Sequence, residues 1–211
     1  MNSRRLFILN IVIIIVVLVA GFLGYYFYNQ STLYLSTDDA QVAGTQIAIA
    51  APATGKIVNW KGATGTQFNS GSNVGDVSVG GKQVAIPMPQ SATIVQNDAV
   101  NNEFVAAGTP LAYAYNFNNL YVTANIKETQ IQHVKVGDAV DVYPDAFPGT
   151  DISGRVSQIG LATAATFSLL PTVSTNANFT KVTQVIPVTI SLQGTVNGLV
   201  PGMSVSVRIH K

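Results

Sequence analysis

The chain has 211 residues, of which 47% are hydrophobic and only 10% charged, with a formal net charge of +1. Ordinary soluble domains are about a quarter charged, so solubility here rests on Asn, Gln, Ser and Thr, and no basic patch points to nucleic acid. There is no cysteine, which excludes disulfides, thiolate metal sites and a lipidated N-terminal Cys.

Residues 6–28 come first, an uncharged run interrupted only by Asn10. That is enough to cross a bilayer as a helix, which takes about 20 residues. A cleaved signal peptide would have a shorter apolar core and a small-x-small site. Here the run ends instead in Tyr25, Tyr26, Phe27 and Tyr28, the composition of an interfacial aromatic belt. Arg4 and Arg5 flank only the N-terminal end, so the positive-inside rule predicts a cytoplasmic tip of residues 1–5 and everything after the anchor outside. The expected location is the cytoplasmic membrane, crossed once, with membrane lipid as a partner. Residues 29–46 read as a polar tether and an entry strand.

The next block, 47–115, contains a sequence that occurs twice. A shift of 37 puts Ile57 on Ile94, Val58 on Val95, Gly71 on Gly108, Ser72 on Thr109 and Val74 on Leu111. Each copy has a short apolar strand, a polar turn, an aromatic (Phe68, Phe104), then a glycine able to take positive φ before another strand. Neither copy can bury its apolar face alone, so the two are expected to close on each other as a small flattened β-sandwich with approximate two-fold symmetry. Residues 76–89 join them, with Gly80-Gly81 marking a hairpin too short for long helices.

From 116 to 211 the alternation is stricter. Val182, Ile186, Val188, Ile190 and Leu192 share one face, as do Met203, Val205, Val207 and Ile209. A period of two in strand after strand predicts a small antiparallel barrel with a packed interior. One turn recurs: Gly137-x-x-Val140-x-Val142 matches Gly202-x-x-Val205-x-Val207. The predicted fold class is therefore mainly β: an N-terminal transmembrane helix, a lipoyl-like barrel-sandwich hybrid, then a β-barrel.

These elements, with T-D-D-A-Q-V-A-G-T-Q-I from Thr37, N-L-Y-V-T-A-N-I-K-E-T-Q-I from Asn119 and V-G-D-A-V-D-V from Val136, resemble an HlyD-type membrane fusion protein, the periplasmic adaptor family. Phe167-Ser168-Leu169-Leu170-Pro171, followed by Asn178-Phe179-Thr180-Lys181-Val182 and Val185-Ile186-Pro187-Val188, is similar to the Emr branch, which partners drug exporters of the major facilitator type. The resemblance implies a membrane-anchored, non-enzymatic adaptor of a multidrug efflux system, without a cofactor and forming a homo-oligomer. In the family a long α-helical hairpin commonly separates the two lipoyl-like halves and reaches toward an outer-membrane channel. The short 76–89 connection stands in its place, so no outer-membrane partner is expected. A cell-surface structural or binding protein without a transporter partner is the alternative.

Other constellations carry less. Lys82 lies where a carrier domain would place its modified lysine, but Gly81-Lys82-Gln83 lacks the acidic or Met neighbours that carrier enzymes read. Residues 75–82 are glycine-rich without phosphate-loop spacing. His133 and His210 have no second ligand at metal spacing. Asp38 and Asp39 come with no nucleophile motif. Two N-x-[ST] matches, at Asn29 and Asn178, are weak. Residues 162–178, by contrast, form the longest uncharged stretch after the anchor and hold Phe167, Leu169 and Leu170. They either plug one end of the barrel or form an exposed patch that docks on a partner.

Overall fold

A computed structural model of the chain describes residues 3–167, 183–194 and 198–211, without the side chains of residues 3–10, 26–32 and 167. A single helix, α1 (Ser3–Leu33), opens the chain. Fourteen strands follow among the described residues. They begin with β1 (Tyr34–Ala43), β2 (Gln46–Ala50), β3 (Gly55–Val58), β4 (Gln67–Phe68), β5 (Asn73–Val79), β6 (Lys82–Pro87) and β7 (Ala92–Asn97). The rest are β8 (Phe104–Val105), β9 (Pro110–Tyr115), β10 (Tyr121–Lys127), β11 (Ala139–Pro144), β12 (Ile152–Ile159), β13 (Val185–Leu192) and β14 (Ser204–His210). The chain divides into two compact units, one of Met1–Ala40, Ala124–Ile190 and Val205–Lys211, the other of Gln41–Thr123 and Ser191–Ser204.

Residues 11–25 of α1 are all exposed, from Ile11 at 42% to Phe22 at 70%. A helix apolar all round is stable only where something apolar surrounds it. Among the described residues no helix is long and apolar enough to cross a membrane. Residues 11–25 by themselves fall short of the roughly 20 that a span requires. Helical backbone runs through residues 29–33, where a polar tether was expected, and β1 starts directly at Tyr34. The last residue ties back to this junction, since Lys211 N–H donates to the Leu33 carbonyl at 2.9 Å.

Two four-stranded sheets, in the orders β2-β9-β7-β4 and β6-β5-β3-β8, make the sandwich. The 37-residue shift of the sequence is the shift of the structure: β3, β4 and β5 begin at 55, 67 and 73, and β7, β8 and β9 at 92, 104 and 110. Ile57, Ile94, Val74 and Leu111 are all buried in one core with Ile47, Ile49, Ile86 and Met88. Alternation along each strand puts these side chains on the inner face. Gly71 (φ 79°) and Gly108 (φ 85°) take the left-handed conformation expected of them, and each donates its N–H at 2.8 Å, to Met88 and to Ala51. Gly80 and Gly81 both have positive φ in the β5–β6 hairpin, as a two-residue type I′ turn requires.

Six strands close the barrel in the order β1-β10-β13-β12-β11-β14. Its interior holds Val122, Ala124, Ile126, Val140, Val142, Val156, Val188, Ile190, Val205, Val207 and Ile209, each at most 1% exposed. The recurring turn is real: Gly137 N–H donates to Val156 O and Gly202 N–H to Val42 O, both at 2.8 Å. Lys135 N–H bonds Asp138 Oδ2 at 2.8 Å in one copy. In the other, Val200 N–H points at Met203 Sδ at 3.4 Å, so a thioether stands in for the carboxylate.

Candidate docking surfaces

The sandwich is built twice, so its surface can be compared with itself. Asn102 N–H donates to Ile57 O and Gly65 N–H to Ile94 O, both at 2.8 Å; Ile57 N–H donates to Glu103 O and Ile94 N–H to Thr66 O, at 2.9 and 3.0 Å. Each bond maps onto its mate under the 37-residue shift. Trp60 and Asn97 are equivalent positions, and Trp60 Nε1–H donates to Asn97 Oδ1 at 2.9 Å. Equivalent residues that touch lie on the symmetry axis. From there two loops diverge, 61–66 into β4 and 98–103 into β8, both turning through a residue of positive φ, Gly65 (87°) and Asn102 (74°).

The backbones agree while the exposed side chains differ. In the second loop Val100 is 61% and Phe104 73% exposed; their counterparts are Ala63 and Gln67, also exposed. The sequence reading matched Phe104 with Phe68. The strand starts correct this: Phe68 corresponds to Val105, and Phe68 packs on the core as Val105 is buried in it. Phe104 instead pairs with Lys56 on the open edge of its sheet. The missed signal was the register itself, since a strict shift of 37 puts Phe104 on Gln67.

A second cluster covers the outer face of β1, β14 and β11. Arg208 lies 5.6 Å from the Tyr34 ring centroid and 5.7 Å from that of Tyr143. His210 meets Tyr34 edge-on at 4.9 Å, and its Nε2 is 2.7 Å from Asp141 Oδ2. Contacts of a cation with two ring faces and of an imidazole with a carboxylate hold the first strand to the last.

The sequence-predicted positions fall as follows. Arg4, Arg5, Tyr26 and Tyr28 lie within α1 with side chains outside the described residues, and Tyr25 is 68% exposed. Phe167 ends a short 3-10 helix, Ala164–Phe167; Leu169 and Leu170 lie outside the described residues. At the root of that loop Leu161 is fully exposed. Lys82 is an exposed hairpin residue opposite Val79. Asp38 and Asp39 are exposed within β1, and Asp39 N–H donates to Thr37 Oγ1 at 3.2 Å. His133 is exposed, with its Nε2 3.4 Å from Gln132 Nε2. Among the described residues no three His, Cys, Asp or Glu side chains converge as a metal site would require.

Two family models match: the YhbJ barrel-sandwich hybrid domain over residues 46–116 and the YknX-like beta-barrel domain over 120–209. The chain is 44% identical over its whole length to a candidate efflux system component, YhbJ of Bacillus subtilis (strain 168), covering 95% of that protein. It is 42% identical over 94 residues to the colistin resistance protein EmrA of Acinetobacter baumannii, a match spanning 44% of this chain and 27% of the relative. The fold is that of the solved periplasmic adaptor protein EmrA, with a TM-score of 0.58 at 12% identity over 84% of this chain and 98% of that one.

Proposed function

The chain belongs to the membrane fusion protein family of efflux-system adaptors, and from that premise we propose that α1 anchors it in the cytoplasmic membrane while its β units stand on the outer side beside an exporter of the major facilitator type. The observation that carries this reading is the contrast in burial. The β units bury most of their large aliphatic residues and expose them singly, as at Val100, Val136 and Leu161, whereas residues 11–25 of α1 expose theirs on every side. Arg4 and Arg5 at one end and Tyr25, Tyr26 and Tyr28 at the other support a span with the N-terminus inside.

The adaptor's role is mechanical. An anchored partner has a high effective concentration at the transporter, so modest contacts suffice for assembly. No residue is assigned a catalytic or cofactor-binding part, and Lys82 remains an ordinary hairpin lysine. The two-residue β5–β6 turn supports an assembly that includes no outer-membrane channel. Residues 162–178, with Phe167, Leu169 and Leu170, dock on the transporter; exposed Leu161 at the root of the loop supports that over a barrel plug. The adaptor acts as a homo-oligomer.

The full chain co-expressed with its exporter tests this. Retention in membranes through alkaline carbonate washing and protease access from the outside only are expected, and release by carbonate overturns the anchor. Replacing Phe167, Leu169 and Leu170 together by Ser is expected to abolish co-purification with the exporter while the melting temperature holds. A collapse of stability would assign those side chains to the barrel core instead.

A further inference from the structure

The two-fold repeat of the sandwich supplies its own control. Ala63 and Gln67 occupy in the first half the places that Val100 and Phe104 occupy in the second, and the backbone is built the same way in both. The fold therefore has no need of an exposed Val and Phe there. Solvent alone would favour the polar version, since exposed apolar surface is unfavourable unless it is covered.

Charge departs from the symmetry at the same place. Lys61 in the first loop corresponds to Asp98 in the second, and Thr66 corresponds to Glu103. One loop thus carries a single positive charge and small polar residues, the other two negative charges and the apolar pair. Asp98 keeps a local partner in Gln96 Nε2, 3.0 Å from its Oδ1. Points related by a two-fold axis lie on opposite sides of it, so one molecule presents the acidic, apolar loop on one side and the basic loop on the other.

We propose that the loop 98–104 of one copy docks on the loop 61–67 of the next, joining copies head to tail through Phe104 and Val100 and through Asp98 against Lys61. Such a contact is heterologous: it uses two different surfaces and propagates around a ring rather than stopping at a pair. Opposite charge fixes the register and steers the encounter, and a common membrane concentrates the copies. This deepens the homo-oligomer reading given above and rests on it.

The absence of cysteine makes the test direct. Thr64→Cys and Val100→Cys are placed in separate, differently tagged full-length chains, co-expressed in membranes and treated with a short bismaleimide. A mixed 64–100 product is expected. Phe104→Gln, the residue that the first half already uses, is expected to lower its yield about tenfold, as the loss of a buried aromatic anchor does, with no change in melting temperature. Lys61→Glu is expected to lower it as well, and Lys61→Glu with Asp98→Lys in the same chain to restore it. A 100–100 product without a 64–100 product overturns the head-to-tail contact while leaving self-association standing. No product of either kind overturns both.

Discussion

The two halves of the sandwich reach the same backbone with different packing, and three glycines show how. Gly55, Gly62 and Gly75 of the first half correspond to Ala92, Ala99 and Ala112 of the second, and those alanines are buried. A Cβ on Gly62 would meet the Trp60 ring at 2.5 Å, and one on Gly75 would meet it at 2.8 Å. In the second half the place of Trp60 is taken by Asn97, so the methyl groups fit. The same exchange recurs at Gly55, whose Cβ would lie 2.8 Å from Val77 Cγ1, while Ala92 has Ala114 in the corresponding position. Volume is conserved across each group of neighbours rather than residue by residue, as close-packed interiors require.

Making the first half copy the second breaks the comparison at graded cost. Gly55→Ala is the most damaging, because its Cβ would also lie 2.3 Å from the backbone oxygen of Ser78, which cannot move without disturbing the β3–β5 ladder. A loss of about 3 kcal/mol is expected in chemical denaturation of the full chain; a cost near zero would mean that β3 shifts freely against β5. Gly62→Ala is expected to cost about 2 kcal/mol by displacing Trp60. In a Trp60→Asn background the same change should cost well under half as much, and additive losses would show that the ring is not what the glycine accommodates.

Smaller effects sharpen the comparison at the turns. Gly65 has open space where its Cβ would be, so only backbone conformation resists substitution. Gly65→Asn, which copies Asn102, is expected to stay within about 0.5 kcal/mol of the parent, and Gly65→Ala to lose about 1 kcal/mol. The weakest effect concerns pH. Side-chain hydrogen bonds from Asn73 and Asn59, with Lys61 nearby, hold the Asp76 carboxyl below its ordinary value. A depressed carboxylate contributes stability above its unfolded-state pKa and loses it as pH falls through the folded one. Asp76→Asn should therefore lower the melting temperature slightly at neutral pH, flatten a small part of its decline below about pH 4 and converge with the parent at the acid end; an unaltered acid limb would exclude the contribution.

What the sequence made legible follows from the range of each signal. Gly71 and Gly108 announced positive φ, and Ile47, Ile49, Val205, Val207 and Ile209 announced inner faces, because conformation and alternation are local properties. The closed barrel was legible as alternation, and its recurring Gly137 and Gly202 turns as a motif. The contact of Trp60 with Asn97 was not, since it joins residues 37 apart through a hydrogen bond that leaves no mark on either neighbourhood. Phe104 misled for a related reason: an aromatic in each copy was matched as one repeated position, whereas one falls on the inside and the other outside by a single step of register. The clustering of Tyr34, Arg208, His210 and Asp141 likewise depends on a strand order that brings the two ends of the chain together.

That strand order has a bearing on synthesis. In the barrel β1, the first strand made, lies beside β14, the last, and all eight strands of the sandwich are encoded between β1 and β10. As the chain emerges from its N-terminus onward, every strand of the sandwich is available once β9 has been made, so the sandwich can form before the barrel. The barrel waits for its final residues, and β1 remains an open edge through nearly the whole of translation. Closing so long a loop is slow, and an unpaired edge in the interval invites pairing with other chains. The early sandwich, by drawing the ends of β1 and β10 together, shortens the loop that remains to be closed.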